Sequence, residues 1–352
     1  MKTAKKNLFL FLSFIILNSV EANDQDDLLL SIFDEDWIYR LEQNPVYATS
    51  LGVKGLEAKW RDISLESFDQ REMHSVQIIN KLNKVKVEEL SKDNQLNFRL
   101  FKQKKVEELA IKKFDHHLLP FSHRGGIQLA HESTESLKLT SAKDYRDWLE
   151  RINNLDINIQ QTIILARQGI KEGFLAPRVL MDRVYRQIKI QSKSSLDNHP
   201  FLKAFKEMPD SIASEEREKL INEAQKIIVN KIIPAYQELD TFFVEEYLPS
   251  SRATVGIYDT PNGKDYYRLM TNIFTTTTMT PEQVHNLGLN EVKRIKKEMM
   301  SIIEELNFDG NFQDFLSFLR TDKRFYFQSS DELFRNYLSI AKRIDPELTK
   351  LF

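Results

Sequence analysis

Residues 214–247 read SEEREKLINEAQKIIVNKIIPAYQELDTFFVEEY, and this stretch decides the fold class. Leu220, Ala224, Ile227, Ile228, Ile232, Ala235, Leu239 and Phe242 recur mostly three or four positions apart, which sets them on one face of a helix. Ser214 is the candidate N-cap, and Glu215 and Glu216 complement the positive helix end. A helix from Glu215 to Tyr247 would be roughly 50 Å long at about 1.5 Å per residue. Pro234 lies inside it and is expected to kink it, because proline lacks an N–H and crowds the preceding turn.

The same periodicity continues on both sides. Downstream, Thr280-Pro281-Glu282-Gln283 forms a capping box that opens a helix running to Leu306. Its expected core stripe is Val284, Leu287, Val292, Ile295, Met299, Ile302 and Leu306, with Gly310 just past the end. Asn311 and Ser330 are expected to cap two further helices. Asp345-Pro346-Glu347 reads as one more helix start, close enough to Phe352 to suggest that the natural polypeptide continues. Upstream, Asp24 to Gln43 is amphipathic and broken at Asn44-Pro45, and a short helix follows as far as Gly52. Residues 65–113 carry stripes for two long helices. Ser141 with Asp144 starts another, continued through Ala166 and stopped by Gly173 and Pro177.

Between these lies His116 to Ser136, with Pro120, Gly125-Gly126 and four of the seven histidines, which reads as a long loop. Only Thr254 to Tyr258 looks extended. The chain has just 10 Gly and 10 Pro in 352 residues, too few for a finely punctuated sheet protein. The expected fold class is all-α, with at most a minor strand at 254–258.

Composition excludes several function classes. There is no cysteine, so disulfides, thiol catalysis and Cys-ligated metals are ruled out. Lys and Arg number 50 against 52 Asp and Glu, a formal charge of −2 that gives no reason to expect nucleic acid. Residues 1–22 read as a signal peptide: Lys2, Lys5 and Lys6 precede the apolar run Leu8 to Leu17, which is half the length of a spanning helix. The mature part, 23–352, is expected to be one exported helical domain, periplasmic or secreted. No later stretch is apolar enough to span a bilayer.

Chemistry is sparse. A helical zinc hydrolase needs two histidines four residues apart with a glutamate beside the first. The only His-Glu pair is His131-Glu132, and the position four after His131 is Glu135. A hydrolase centred on these three residues is therefore the weakest of the readings. His116 and His117 are adjacent and cannot face one metal from a regular helix. No Gly-x-Ser-x-Gly elbow and no phosphate-cradling loop occurs. The segment Gly256 to Arg268 is less ordinary, gathering Tyr258, Tyr266, Tyr267, Lys264 and Arg268 around two glycines. Tyrosine hydroxyls and arginine suit a peptide-like or carboxylate ligand, although a turn packed by aromatics has the same composition.

Residues 44–52 (NPVYATSLG), Lys143-Asp144-Tyr145, the Gly256 to Tyr267 stretch and residues 280–292 (TPEQVHNLGLNEV) together resemble the bacterial domain-of-unknown-function family 885. That resemblance implies a helical fold related to gluzincin-type zinc peptidases, whose His-Glu-x-x-His-like zinc helix lies downstream of the part matched here. It further implies that this chain is the N-terminal portion of such a protein, with no catalytic residues, no metal ligands and no cofactor of its own. Zinc is expected only in a full-length member. By position, Tyr258, Tyr266, Tyr267 and His285 carry over as cleft-facing groups for a peptide-like substrate. The alternative is a complete, non-catalytic helical binding or scaffolding protein of the periplasm.

Overall fold

The computed structural model describes residues 24–351, so the leader expected at residues 1–22 lies outside the described residues. Asp24, Asp26 and Asp27 occupy the first turn of α1 (Asp24–Glu42), where carboxylates meet the positive helix end. Pro45 at the first helical position opens the short α2 (Pro45–Ser50). In the charged region, α3 (Leu65–Leu82) and α4 (Lys92–Lys112) are each started by a serine, Ser64 and Ser91, whose hydroxyl accepts a backbone N–H of the first turn. Leu29, Ile32, Ile78, Leu82 and Phe98 make a small core between α1, α3 and α4. Beside it sits a buried ion cluster. Lys105 Nζ lies 2.7 Å from Asp36 Oδ1 and 2.9 Å from Glu108 Oε2, and His74 Nε2 lies 3.0 Å from the same Asp36 oxygen.

The expected loop at 116–136 is packed rather than loose. It holds two short 3₁₀ segments, His116–Leu118 and Ile127–Glu135, and buries Leu118, Phe121, Gln128 and Ala130. Ser141 and Asp144 form the capping box of α5 (Ala142–Asn153). The single helix expected here breaks at Asn154 (φ −107°, ψ 11°), and α6 (Leu155–Glu172) runs on to the left-handed Gly173. Then come α7 (Arg178–Lys193) and the single turn α8 (Lys203–Lys206). Within α6, Gly169 lets the chain pass close: a Cβ there would stand 2.3 Å from the Leu118 carbonyl oxygen.

The deciding stretch is helical from 214 to 250, but not uniformly α. It runs as α9 (Ser214–Ile227), a π segment Ile228–Ile232, α10 (Ile233–Phe242), a second π segment Phe243–Tyr247, and α11 (Leu248–Ser250). The N-cap is Ala213, with extended backbone, and Ser214 is already helical, which corrects the expected cap by one residue. The disturbance expected at Pro234 takes the form of the first π segment, and Pro249 follows the second in the same way. A proline ring collides with the carbonyl four residues back, here that of Asn230 and of Glu245. Each is the middle residue of its π segment, where the wider turn makes room. Leu220, Ala224, Ile228, Ile232 and Tyr236 are all buried at strict spacings of four. In a pure α-helix such a row would drift by about 40° per step, and the π segments take up that drift. These side chains, with Trp148, Ile152, Ile159, Val184 and Phe201, form the main core.

No strand forms at 254–258. Arg252 makes an isolated parallel bridge to Pro177, and its guanidinium donates to the carbonyls of Leu175, Thr254 and Gly256, curling the segment around itself. A 3₁₀ turn at Ile257–Asp259 follows, and then α12 (Gly263–Thr275). Among the described residues the chain is all-α.

Two compact units divide after Phe274. The second contains α13 (Pro281–Glu305), α14 (Phe312–Thr321) and α15 (Ser330–Leu348). The capping boxes Thr280–Gln283 and Asn311–Asp314 form as expected. The third cap is Ser329 rather than Ser330, because Ser329 has the extended backbone and its hydroxyl accepts from Glu332 N. Pro346 starts no helix: it falls in the last turn of α15, which is already running when the Asp-Pro-Glu pattern arrives. The stripe expected to be core on α13 is largely uncovered. Val292 is 65 % and Leu306 62 % exposed, Leu287, Ile295 and Ile302 are exposed too, and the buried residue of this helix is Ile303. Helix α15 buries no residue at all. Among the described residues, no helix is long and apolar enough to cross a membrane.

Candidate functional site

Of the four residues carried over by resemblance, Tyr266 is the best placed. Its ring stacks on His116 with centroids 3.6 Å apart and meets Phe114 edge-on at 5.5 Å. Tyr258 and Tyr267 pair with each other at 5.2 Å, and both are exposed. The tight entry to α12 fixes these rings. A Cβ on Gly263 would lie 2.0 Å from the Ile257 carbonyl oxygen, so only glycine fits there. His285 belongs to the second unit, where it is exposed on α13.

Beside the His116–Tyr266 stack lies a cavity of about 320 Å³ lined by Arg61, Phe68, Arg71, Lys112, His116 and His117 among others. A larger cavity of about 600 Å³ shares Arg61, Phe68 and His117 and adds Trp60, Ile63, Leu119, Ile127 and Leu165. Together they make an apolar groove with a cationic wall. The wall is anchored to the first unit's core helices. Trp60 Nε1 donates to the Arg151 carbonyl at 2.7 Å, and Asn158 Nδ2 donates to the Arg61 carbonyl at 2.7 Å.

Arg71 donates to Gln43 Oε1, the Asp62 carbonyl and Ser67 Oγ, and its guanidinium lies 4.4 Å from the Phe68 ring centroid. Among the described residues, neither Arg61 nor Arg71 has a carboxylate within 4.0 Å. Burial, reinforced by the charge of Arg61, pulls Arg71 down to about 10, so it stays charged at neutral pH. Burial likewise lowers His116 and His117, and for His117 the nearby Lys112 lowers it further while Asp115 opposes. Both imidazoles are therefore neutral at pH 7. His116 Nε2 is buried without a hydrogen-bond partner. The groove can thus hold an apolar or aromatic group between Trp60, Phe68 and Leu165, and an anionic or carbonyl oxygen against the two guanidiniums.

Sequence reading missed Trp60, Arg61 and Arg71, and treated His116 and His117 only as failed metal ligands. The one local signal was a tryptophan directly beside an arginine, Trp60-Arg61, ahead of a charged helix that carries Arg71. The zinc implied by the resemblance finds no ligand set here: among the described residues, no group of three or more His, Asp or Glu side chains converges.

An all-α scaffold carrying an apolar, cation-edged groove is the class these features define. The chain belongs to the family described as "Bacterial protein of unknown function (DUF885)", which matches residues 45–352. It is similar in fold to a solved structure described as "the putative lipoprotein from Colwellia psychrerythraea", with a TM-score of 0.70 and 18 % identity. That likeness covers 93 % of this chain and 59 % of the other, so this chain spans less than two thirds of the length of that structure. A comparison with curated proteins found no match.

Proposed function

We propose that this chain is the N-terminal, cleft-forming part of an exported zinc-peptidase-like protein, which holds a peptide-like ligand and does not hydrolyse it unaided. The observation that carries the reading is the groove of Trp60, Arg61, Phe68 and His117 beside the His116–Tyr266 stack. Its apolar floor suits side chains, and its guanidiniums, which have no carboxylate partner among the described residues, suit a main-chain carbonyl or a terminal carboxylate. That no metal-ligand set converges among the described residues is consistent with a part that does not hydrolyse its ligand unaided. The open apolar faces of α13 and α15, and the greater length of the similar structure, support further polypeptide as their cover. Export rests on the expected leader and on the lipoprotein description of that structure.

Trp60 gives the test a probe. Titration of residues 23–352 with an alanine- and leucine-rich hexapeptide bearing a free C-terminus should change tryptophan fluorescence. Arg61→Ala with Arg71→Ala should weaken binding by about tenfold or more, with an unchanged melting profile as the folding control. No peptide binding, or zinc-dependent hydrolysis by this chain alone, refutes the reading.

A further inference from the structure

His131 and Glu135 lie outside the groove, whereas Glu132, from the same 3₁₀ segment, also lines its larger cavity. With Tyr145, Lys203 and Glu207 they line another cavity of the first unit, of about 410 Å³. Behind His131 stands a buried polar network. Gln191 Nε2 lies 2.8 Å from His131 Nδ1 and 3.2 Å from the Gln128 carbonyl oxygen. A carbonyl can only accept, so the atom facing it is the amide nitrogen, and its second hydrogen goes to His131 Nδ1. His131 Nδ1 is thus an acceptor, and the ring proton sits on Nε2.

The helix carrying Gln191 is held by His199 Nε2, which donates to the Gln191 backbone carbonyl at 3.0 Å, and the Gln128 side chain is anchored to the Ser122 carbonyl at 2.7 Å. Gln128, Gln191 and His199 are all buried. Burial lowers His131, and the amide facing Nδ1 opposes a second proton as well. A metal at Nε2 would need the opposite tautomer, setting Nδ1–H against the amide N–H. The imidazole is therefore built as a neutral hydrogen-bond donor.

The rest of the wall is equally uncommitted. Tyr145 is only 3 % exposed and lines this cavity, and among the described residues its hydroxyl makes no hydrogen bond. Burial and then the Glu207 carboxylate push its phenol up, so it remains an O–H donor. Glu132, Glu135, Glu207 and Lys203 make no ion pair or side-chain hydrogen bond among the described residues. The lining thus supplies His131 Nε2–H, the Lys203 ammonium and the Tyr145 hydroxyl as donors, and three carboxylates as acceptors.

We propose that this cavity binds an α-amino-acid zwitterion, free or as a short peptide, with its ammonium among Glu132, Glu135 and Glu207 and its carboxylate on Lys203 and His131 Nε2–H. The proposal does not rest on the groove reading, although Glu132 lines both cavities. Calorimetric titration of residues 23–352 with L-alanyl-L-alanine should show binding, and L-alanine identifies whether a free amino acid suffices. The N-acetylated and the C-amidated dipeptides should each bind about tenfold or more weakly. Lys203→Met should weaken the parent dipeptide by a similar factor and leave the amide unchanged, a pattern that loss of folding would not produce. His131→Phe should weaken the parent, with circular dichroism confirming the fold. No binding by either zwitterion at millimolar concentration, equal binding of parent and acetylated dipeptides, or a Lys203→Met variant that binds the parent normally would each overturn the proposal.

Discussion

In the first unit, Trp148 on α5, Ile159 on α6, Val184 on α7 and Tyr236 on α10 lose nearly all their exposure to one another, whereas in the second, α15 leaves Phe334, Tyr337 and Leu338 uncovered. The difference extends to polar groups. The first unit encloses charges and amides, such as Lys105 with Asp36 and Gln191 with His131, and meets most of their hydrogen-bonding needs internally. The second relies on local devices: capping boxes on α13 and α14, and Arg294 bridging Glu291 and Glu298 along an exposed face. Enclosure is what lets a buried polar group be oriented. Functional geometry is therefore expected in the first unit, and association in the second.

The largest effect that would test this contrast is Asp36→Ala. It takes the buried carboxylate from Lys105 and His74, leaving Lys105 only the partly exposed Glu108, and should cost up to about 3–5 kcal/mol in chemical denaturation, as removal of one partner from a buried pair does. A loss under about 1 kcal/mol would mean the cluster is effectively solvated and the contrast overstated. Two glycines sharpen it next. Gly169→Ala forces a Cβ against the Leu118 carbonyl and should destabilise by about 1–3 kcal/mol. Gly288→Ala in α13 meets nothing within 4 Å and should stabilise that helix by about 0.5–1 kcal/mol. Equal signs for the two would break the comparison.

Proton linkage comes third. His116, His117, His131 and His199 are all lowered in the fold, chiefly by burial. An unfolded histidine titrates near about pH 6.5. Above that, both states are neutral and the contribution to stability is complete. As the pH falls below it, the unfolded chain takes up protons first, and stability drops until the folded values are reached. Each such histidine adds at most about 1.4 kcal/mol per pH unit to the slope. Denaturation between about pH 6.5 and about pH 5 should show this fall, and His117→Asn should reduce it; an unchanged slope would place His117 in contact with solvent. The smallest effect belongs to the second unit. Leu338→Ala should change stability by less than about 0.5 kcal/mol, and a hydrophobic dye should bind residues 23–352 unless that face is covered. A core-sized loss would show that α15 is packed in solution.

Periodicity made the all-α class legible, and the caps at Ser141, Thr280 and Asn311 could be read because side chain and spacing agreed. Ser214 and Ser330 were each misplaced by one residue, since extended backbone, not residue type alone, decides the cap. The stripe on α13 was visible as a pattern, but a pattern does not say what covers it. Tyr266 stood out in the Gly256 to Arg268 composition and again through the resemblance. Its partner His116 and the wall of Arg61 and Arg71 are far from it in the chain and meet only in the folded unit. Gln191, which fixes the His131 tautomer, gives no signal in sequence: an isolated glutamine on a helix is ordinarily a surface residue.

The π segments ahead of Pro234 and Pro249 act as phase shifters. Each inserts one residue into a turn and so rotates everything downstream by about 100° relative to an unbroken α-helix. Were the first to relax to α geometry, Leu239, Phe243 and Tyr247 would swing off the axis on which they now point inward. The two prolines therefore serve as index pins, holding the angular setting of a helix whose far end would otherwise present the wrong face to its neighbours.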